Sequence, residues 1–282
     1  MALRVSIYQI PAHVRSTLVA ASMAEGINKV GDWFQIRLTT QFQEPDADVA
    51  VFYGFDESMR GIFKAYRAAG KPVVYVDLGY FGRREGGRWT GYHKVSVNAR
   101  HPTAYFQDVK HPGDRIAKFG IELKPFKRGS HILLAGTSDK GAIVDGFEPE
   151  QWERETIALL KAHTSRKIVY RPKPSWKGAK PIDGTVLSPR SIEVVDALYG
   201  CHAVVTHHSN VAVDGLILGV PSFCLDGVAK SLSLSDFTKI ETPHHPQDRQ
   251  QFLNDLSYVQ FSISEMREGV AWRHLKDENL IQ

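Results

Sequence analysis

Four polar residues in a row, Thr206, His207, His208 and Ser209, follow an apolar, β-branched run at 203–205. They precede a helix-patterned segment at 210–218 that stops at Gly219 and resumes as a strand at Pro221. Strand, turn, helix and strand make half of a βαβ unit, whose turn belongs at the carboxyl edge of an open sheet, where such sheets bind ligands. Hydroxyls, imidazoles and backbone N–H groups gathered at a helix N-terminus favour an anion such as a phosphate. Asn210 extends the turn, and Asp214, one helical turn further on, is placed to reach a ribose hydroxyl. Arg171 and Lys173, each followed by a proline, come directly after the strand-like run at 167–170 and so reach the same edge. Arginine offers a phosphate two parallel hydrogen bonds and lysine a point charge. Gly136 and Thr137 follow the strand-like run at 131–135, the glycine leaving room for close backbone approach to a ligand. These residues together describe a nucleotide-phosphate site.

The first half of the chain offers a base. Asp77 stands at the end of the apolar run at 72–76, where a partly desolvated carboxylate can take a proton from an attacking hydroxyl; His13, just past the first strand, is the rival. Between 77 and 94 glycines, aromatics and bases crowd one long connection, including Tyr80, Arg83, Arg84, Arg88, Trp89, Tyr92, His93 and Lys94. A loop of this kind reads as ordered and facing an anionic partner.

Several chemistries are excluded. There is no GxGxxG, no GxxxxGK[ST] and no GxSxG, which removes the dinucleotide, P-loop and hydrolase-elbow readings. No metal site is expected, because the adjacent histidines 207 and 208, and again 244 and 245, would point apart on any regular element. Cys201 and Cys224 lack ligand spacing and read as buried free thiols. No leader or membrane-length apolar run occurs, so a cytoplasmic protein without membrane contact is expected. A net charge of +4 permits an anionic partner without requiring one.

The elements that must hold these residues alternate. Strand 4–10, helix 14–30, strands 33–38 and 48–52, helix 58–69 and strand 72–76 form a Rossmann-like half. A basic, glycine-containing stretch at 126–130 reads as a linker, and a second half follows: strand 131–135, loop 136–147, helix 149–163, strand 167–170, helix 189–199, strand 202–205, helix 210–218 and strand 221–225. Helical spacing returns at 247–260 and 262–275, with Ser262 and Glu265 in a capping-box pattern. The expected domains are 1–127, 128–260, and 261–282 as a C-terminal helix packing back on the first. With 43% hydrophobic residues, two α/β domains facing a central cleft are the economical architecture.

Two blocks carry a family resemblance. Residues 206–221, from Thr206-His207-His208-Ser209 through Asp214 to Gly219-Val220-Pro221, resemble the sugar-nucleotide half of GT-B glycosyltransferases of the capsular-polysaccharide and Kdo-transferase-like group. Asp77-Leu78-Gly79-Tyr80-Phe81 with Arg83 and the later Asn98 is similar to that group's acidic-x-Gly-aromatic-x-x-Arg segment, Asp77 and Asp214 standing where glutamate is expected. The stretch 261–273 resembles short bacteriophage glycosyltransferases, some of which glycosylate hydroxymethylated pyrimidines in DNA. The resemblance implies a GT-B fold, a nucleotide-sugar donor (a UDP-sugar favoured) on the second domain, an acceptor on the first and no obligatory metal or other cofactor. With it, Asn98 joins the acceptor set, and the bases and aromatics of the 77–94 loop suit DNA carrying a hydroxymethylated base. A glycan-directed transferase, a sugar-nucleotide epimerase and a non-catalytic nucleotide- or nucleic-acid-binding module remain open.

Overall fold

The computed structural model describes residues 2–281 apart from 88 and 108; Arg88, expected in the acceptor loop, lies outside the described residues. The chain divides into two compact units, one made of Met1–Pro102 with Asn254–Gln282 and the other of Thr103–Leu253. Residues 103–127, expected in the first domain, therefore group with the second unit, and the linker-like stretch lies inside that unit. Backbone bonds explain why: Lys124 N–H donates to Ile217 O and Lys127 N–H to Gly219 O.

In the first unit β1 (Arg4–Gln9), α1 (Val14–Val30), β2 (Trp33–Leu38), β3 (Val49–Tyr53), α2 (Glu57–Ala68), β4 (Val73–Leu78) and β5 (Tyr92–Val97) follow in order. The sheet order is β11-β5-β4-β3-β1-β2, where β11 (Gln260–Ser262) comes from the end of the chain. Strands β1 to β4 are parallel, while β5 is antiparallel to β4 and to β11. Alternate residues of β1, β3 and β4 face opposite cores, as the two-residue period of a strand requires. Val5, Ile7, Val51, Val74 and Val76 meet α1 and the C-terminal residues, whereas Tyr8, Phe52 and Tyr75 meet α2 through Met59, Ile62 and Tyr66. Both faces are covered, so the runs are apolar throughout.

The second unit holds α3 (Asp114–Ala117), β6 (His131–Ala135), α4 (Asp139–Asp145), α5 (Gln151–His163), β7 (Lys167–Arg171), β8 (Val186–Leu187), α6 (Val194–Leu198), β9 (Cys201–Thr206), α7 (Val211–Leu218) and β10 (Ser222–Cys224). Its five strands are all parallel in the order β10-β9-β6-β7-β8. The chain runs outward from β6 to β8, then returns to the other side of β6 as β9, which places the switch point between β6 and β9. The segment read as a loop at 136–147 contains α4, capped by the Ser138 hydroxyl accepting from Gly141 N–H.

After α8 (Arg249–Tyr258) come β11, α9 (Ile263–Arg267) and α10 (Val270–Asp277). The Ser262/Glu265 capping box forms as its residues suggest. The single helix read over 262–275 is broken at Gly269, whose positive φ of 75° sets the turn between α9 and α10. Both helices pack on α1, and Gly26 in α1 is so close to them that a β-carbon there would strike Met266 O.

Candidate active site

In the second unit, register assembles the site. Ala135, the last residue of β6, pairs with Arg171, the last of β7, and with Thr206, the last of β9. Gly136-Thr137, Arg171 and the turn at 206–210 therefore leave one carboxyl edge at the same height, on both sides of the switch point.

The Thr206 hydroxyl is buried and accepts from Ser209 N–H, and the Ser209 hydroxyl accepts from Val211 N–H. These bonds hold the turn in shape, and they also occupy amides that an anion would otherwise use. Asn210 caps α7 by position without a side-chain bond, and Asp214 is half-buried in the first turn. Arg171 is half-buried and donates to the Ser188 hydroxyl at 3.3 Å. Burial pulls its guanidinium below the usual value, opposed by the Glu193 carboxylate, and leaves it cationic at neutral pH. Lys173 is exposed.

His207 and His208 do not point apart. They lie in the turn between β9 and α7, outside any regular element, and their Nδ1 atoms are 2.8 Å from each other. Asp145, at the end of α4, brings its carboxylate to 3.4 Å from His208 Nδ1 and 4.0 Å from His207 Nδ1. The His207 ring meets Phe147 and Trp152 edge-on, with centroids 5.6 and 5.7 Å away.

Sequence reasoning missed Glu153. This fully buried carboxylate from α5 accepts from both the amide and the hydroxyl of Thr137, at 2.6 and 2.9 Å, and so turns Thr137 inward. It also explains Gly136, because a β-carbon there would lie 2.9 Å from Glu153 Oε1 and 2.8 Å from the Tyr170 ring. The space beside the glycine is filled by the protein itself, which corrects the expectation of ligand approach. A glutamate in an otherwise ordinary helix pattern gave no signal of this.

In the first unit Asp77 is half-buried and accepts from the Tyr75 hydroxyl and the Leu78 amide, both at 2.8 Å. Its charge reaches the Tyr53 hydroxyl, whose pKa is pushed up to about 12, by burial first and then by Asp77, against the pull of Arg15. His13 is exposed and caps α1, its Nδ1 accepting from Ser16 N–H. A ring that accepts on Nδ1 carries its neutral proton on Nε2, so the lone pair needed for base chemistry is engaged in the cap. Arg15, which sequence reasoning passed over, donates to the Tyr53 hydroxyl at 3.0 Å and lies 4.6 Å from the Trp89 ring.

Among the described residues of the 79–92 loop and of β5, most of the expected acceptor residues bond within the chain. Arg83 Nε donates to Gly79 O, Tyr92 N–H to Gly82 O, and Tyr80 N–H to Gln260 Oε1. Tyr80, Tyr92, His93 and Lys94 are buried, and the Lys94 ammonium donates to Arg100 O. Burial also lowers the His93 pKa to about 4, with Gly91 O bound to its Nδ1 and the Arg15 and Asp77 charges opposing each other. Asn98 adopts φ 60° and clamps Val73, its backbone N–H donating to Val73 O and its side-chain Oδ1 accepting from Val73 N–H. Of the described acceptor set, Arg84 is exposed and Trp89 half-buried.

No family model and no curated protein matches the sequence. Among solved structures the chain is similar to KpsC of Thermosulfurimonas dismutans, a β-Kdo 2,4 transferase, with a TM-score of 0.58 and 11% identity over 93% of this chain and 92% of that one. A β-Kdo 2,7 transferase structure of KpsC from the same organism aligns at a TM-score of 0.49 and 11% identity, over 95% of this chain and 99% of that one. UDP-GlcNAc 2-epimerase of Methanocaldococcus jannaschii aligns at 0.34 and 10% identity, over 97% and 99%. The likeness to the first is one of fold, and that fold is the α/β GT-B type. Among the described residues no helix is long and apolar enough to cross a membrane.

Proposed function

We propose that the protein is a glycosyltransferase that moves a sugar from a nucleotide-sugar donor, a UDP-sugar by preference, to a hydroxyl acceptor. One observation carries this reading: the shared register of Ala135, Arg171 and Thr206, which gathers a cation and a polar turn at one sheet edge beside the switch point. The GT-B fold supports it. In the reaction the acceptor oxygen bonds to the anomeric carbon while the bond from that carbon to the diphosphate breaks, its electron pair leaving with the phosphate oxygen. Arg171 and Lys173 meet the charge that grows there, the 207–210 turn orients the phosphates and Asp214 holds the ribose. Asp77 takes the acceptor proton. Its rival His13 is occupied as a helix cap, which favours the carboxylate.

The acceptor follows from what the loop leaves available. A hydroxymethylated pyrimidine in DNA is supported by Arg84 and Trp89, which could combine phosphate contact with stacking. The burial of Tyr80, Tyr92 and Lys94 favours a second reading, a glycan hydroxyl. The test is a mass-spectrometric screen of UDP-, GDP- and CMP-sugars against hydroxymethylated DNA, plain DNA and an oligosaccharide. Sugar addition to one acceptor supports the proposal and names the acceptor. Nucleotide binding without transfer or hydrolysis for any donor overturns it in favour of a binding module, and sugar interconversion without transfer in favour of an epimerase.

A further inference from the structure

Asp145, His207 and His208 bring three donor atoms together, and the transfer reading uses the two histidines only as part of the 207–210 turn and Asp145 not at all. Their Nδ1 and Oδ2 atoms mark a triangle with sides of 2.8, 3.4 and 4.0 Å. The point equidistant from the three corners falls inside the triangle and lies about 2.0 Å from each, the length of a zinc–imidazole or zinc–carboxylate bond. Seen from that point the donors are about 90°, about 115° and about 160° apart, and because the point lies in their plane any further ligand would enter from above or below it, as in four- to six-coordinate N/O sites. We propose that Asp145, His207 and His208 bind one divalent first-row transition ion of the zinc class.

The surroundings suit such an ion. The three side chains are only 12–14% exposed, so little water competes for the donors. Phe147 and Trp152 fix the plane of the His207 ring. The His208 backbone is pressed against Gly227, where a β-carbon would lie 2.9 Å from His208 O. Ligands held in place before the ion arrives lose little freedom on binding it. Imidazole and carboxylate donors without a thiolate suit zinc, manganese or cobalt, and both rings must carry their remaining proton on Nε2. Three protein ligands with open positions is also the pattern of ions that act on substrates, in contrast to closed structural sites. If the proposed transfer holds, a diphosphate oxygen takes one open position; that clause alone rests on the transferase reading, and ion binding does not.

The experiment uses the full chain, stripped with EDTA and titrated calorimetrically with Zn²⁺ in the absence of nucleotide, with Co²⁺ absorption as a second probe. One ion per chain is expected. His208→Ala and Asp145→Asn should each weaken binding by about tenfold or more, while His163→Ala, an exposed histidine outside the trio, leaves it unchanged. Circular dichroism checks that the variants fold, and His208→Gln replaces the alanine variant if that one does not. A folded wild-type chain that takes up no stoichiometric ion overturns the proposal, as does binding that survives both substitutions. An ion bound by a chain that transfers no sugar keeps the site and removes the transferase reading; transfer by a chain that binds no ion does the reverse.

Discussion

Asp32→Ala tests the packing of the C-terminal residues on the first unit. Asp32 is buried just after α1, where it accepts from Leu3 N–H at 2.9 Å, from the Trp272 indole at 2.7 Å and from the Lys276 ammonium at 2.8 and 3.1 Å. Burial by itself would raise its pKa, but the bonds from Lys276, Trp272 and Leu3 outweigh it and hold the carboxyl below its usual value. Alanine leaves two buried N–H donors unmade, at about 1–3 kcal/mol each. Lys276 is 32% exposed and re-enters water at little cost. The expected loss is therefore that of the two donors together, about 2–6 kcal/mol. Urea unfolding followed by circular dichroism, with the slope against urea unchanged, measures it. The pH dependence has a definite sign. A carboxyl with a depressed folded pKa contributes its full stability above the unfolded value of about 3.9 and loses it as pH falls through the folded one, so the two proteins should converge in acid. A variant within about 0.5 kcal/mol of wild type at pH 7, the range of ordinary surface substitutions, would refute the reasoning, as would a gap that widens in acid.

The other predictions concern the site. Arg171→Ala should lower kcat/KM by about 10²–10³, and Lys173→Ala, at an exposed position, by less; steady-state kinetics with the donor found in the screen decides, and unchanged turnover in both sinks the diphosphate role. Asp77→Asn should cut kcat by about 10²–10⁴ with the fold intact, whereas His13→Ala should cost about 1 kcal/mol of stability as a lost helix cap and leave kcat nearly unchanged. The reverse pattern would make His13 the base. Because His93 is held neutral with a pKa of about 4, its contribution to stability is complete above the unfolded value of about 6.5 and drains away as pH falls toward 4. Thermal unfolding of His93→Phe across that window should show a flatter pH profile than wild type, and an equal slope would count against a buried neutral imidazole.

The strands that carry the site were legible because they are buried on both faces. Runs such as Val204-Val205 and Val73-Val74 announce interior parallel strands, and the residue that ends each run is the one the register brings to the edge. What could not be read depends on partners distant in sequence. Nothing in residues 136–137 points to Glu153, and nothing in the 77–94 composition distinguishes a lysine that faces a ligand from Lys94, which bonds back to Arg100. The histidine pair was misjudged for a different reason: side-chain direction follows from period only inside helices and strands, and His207 and His208 lie in neither. Strand β11 went unseen because Gln260–Ser262 is too short for a period and is defined by its pairing with β5.

That pairing has a consequence for how the chain matures. Phe261, Ile263, Met266, Trp272 and Leu275 lie in the same buried cluster as Val5, Ile7, Val51 and Val76. During synthesis the first unit therefore emerges with its sheet lacking an edge strand and one flank of its core bare, and it stays so while residues 103–253 are added. The unit begun first is completed last, and the middle of the chain can close while the beginning still waits for its final strand and helices.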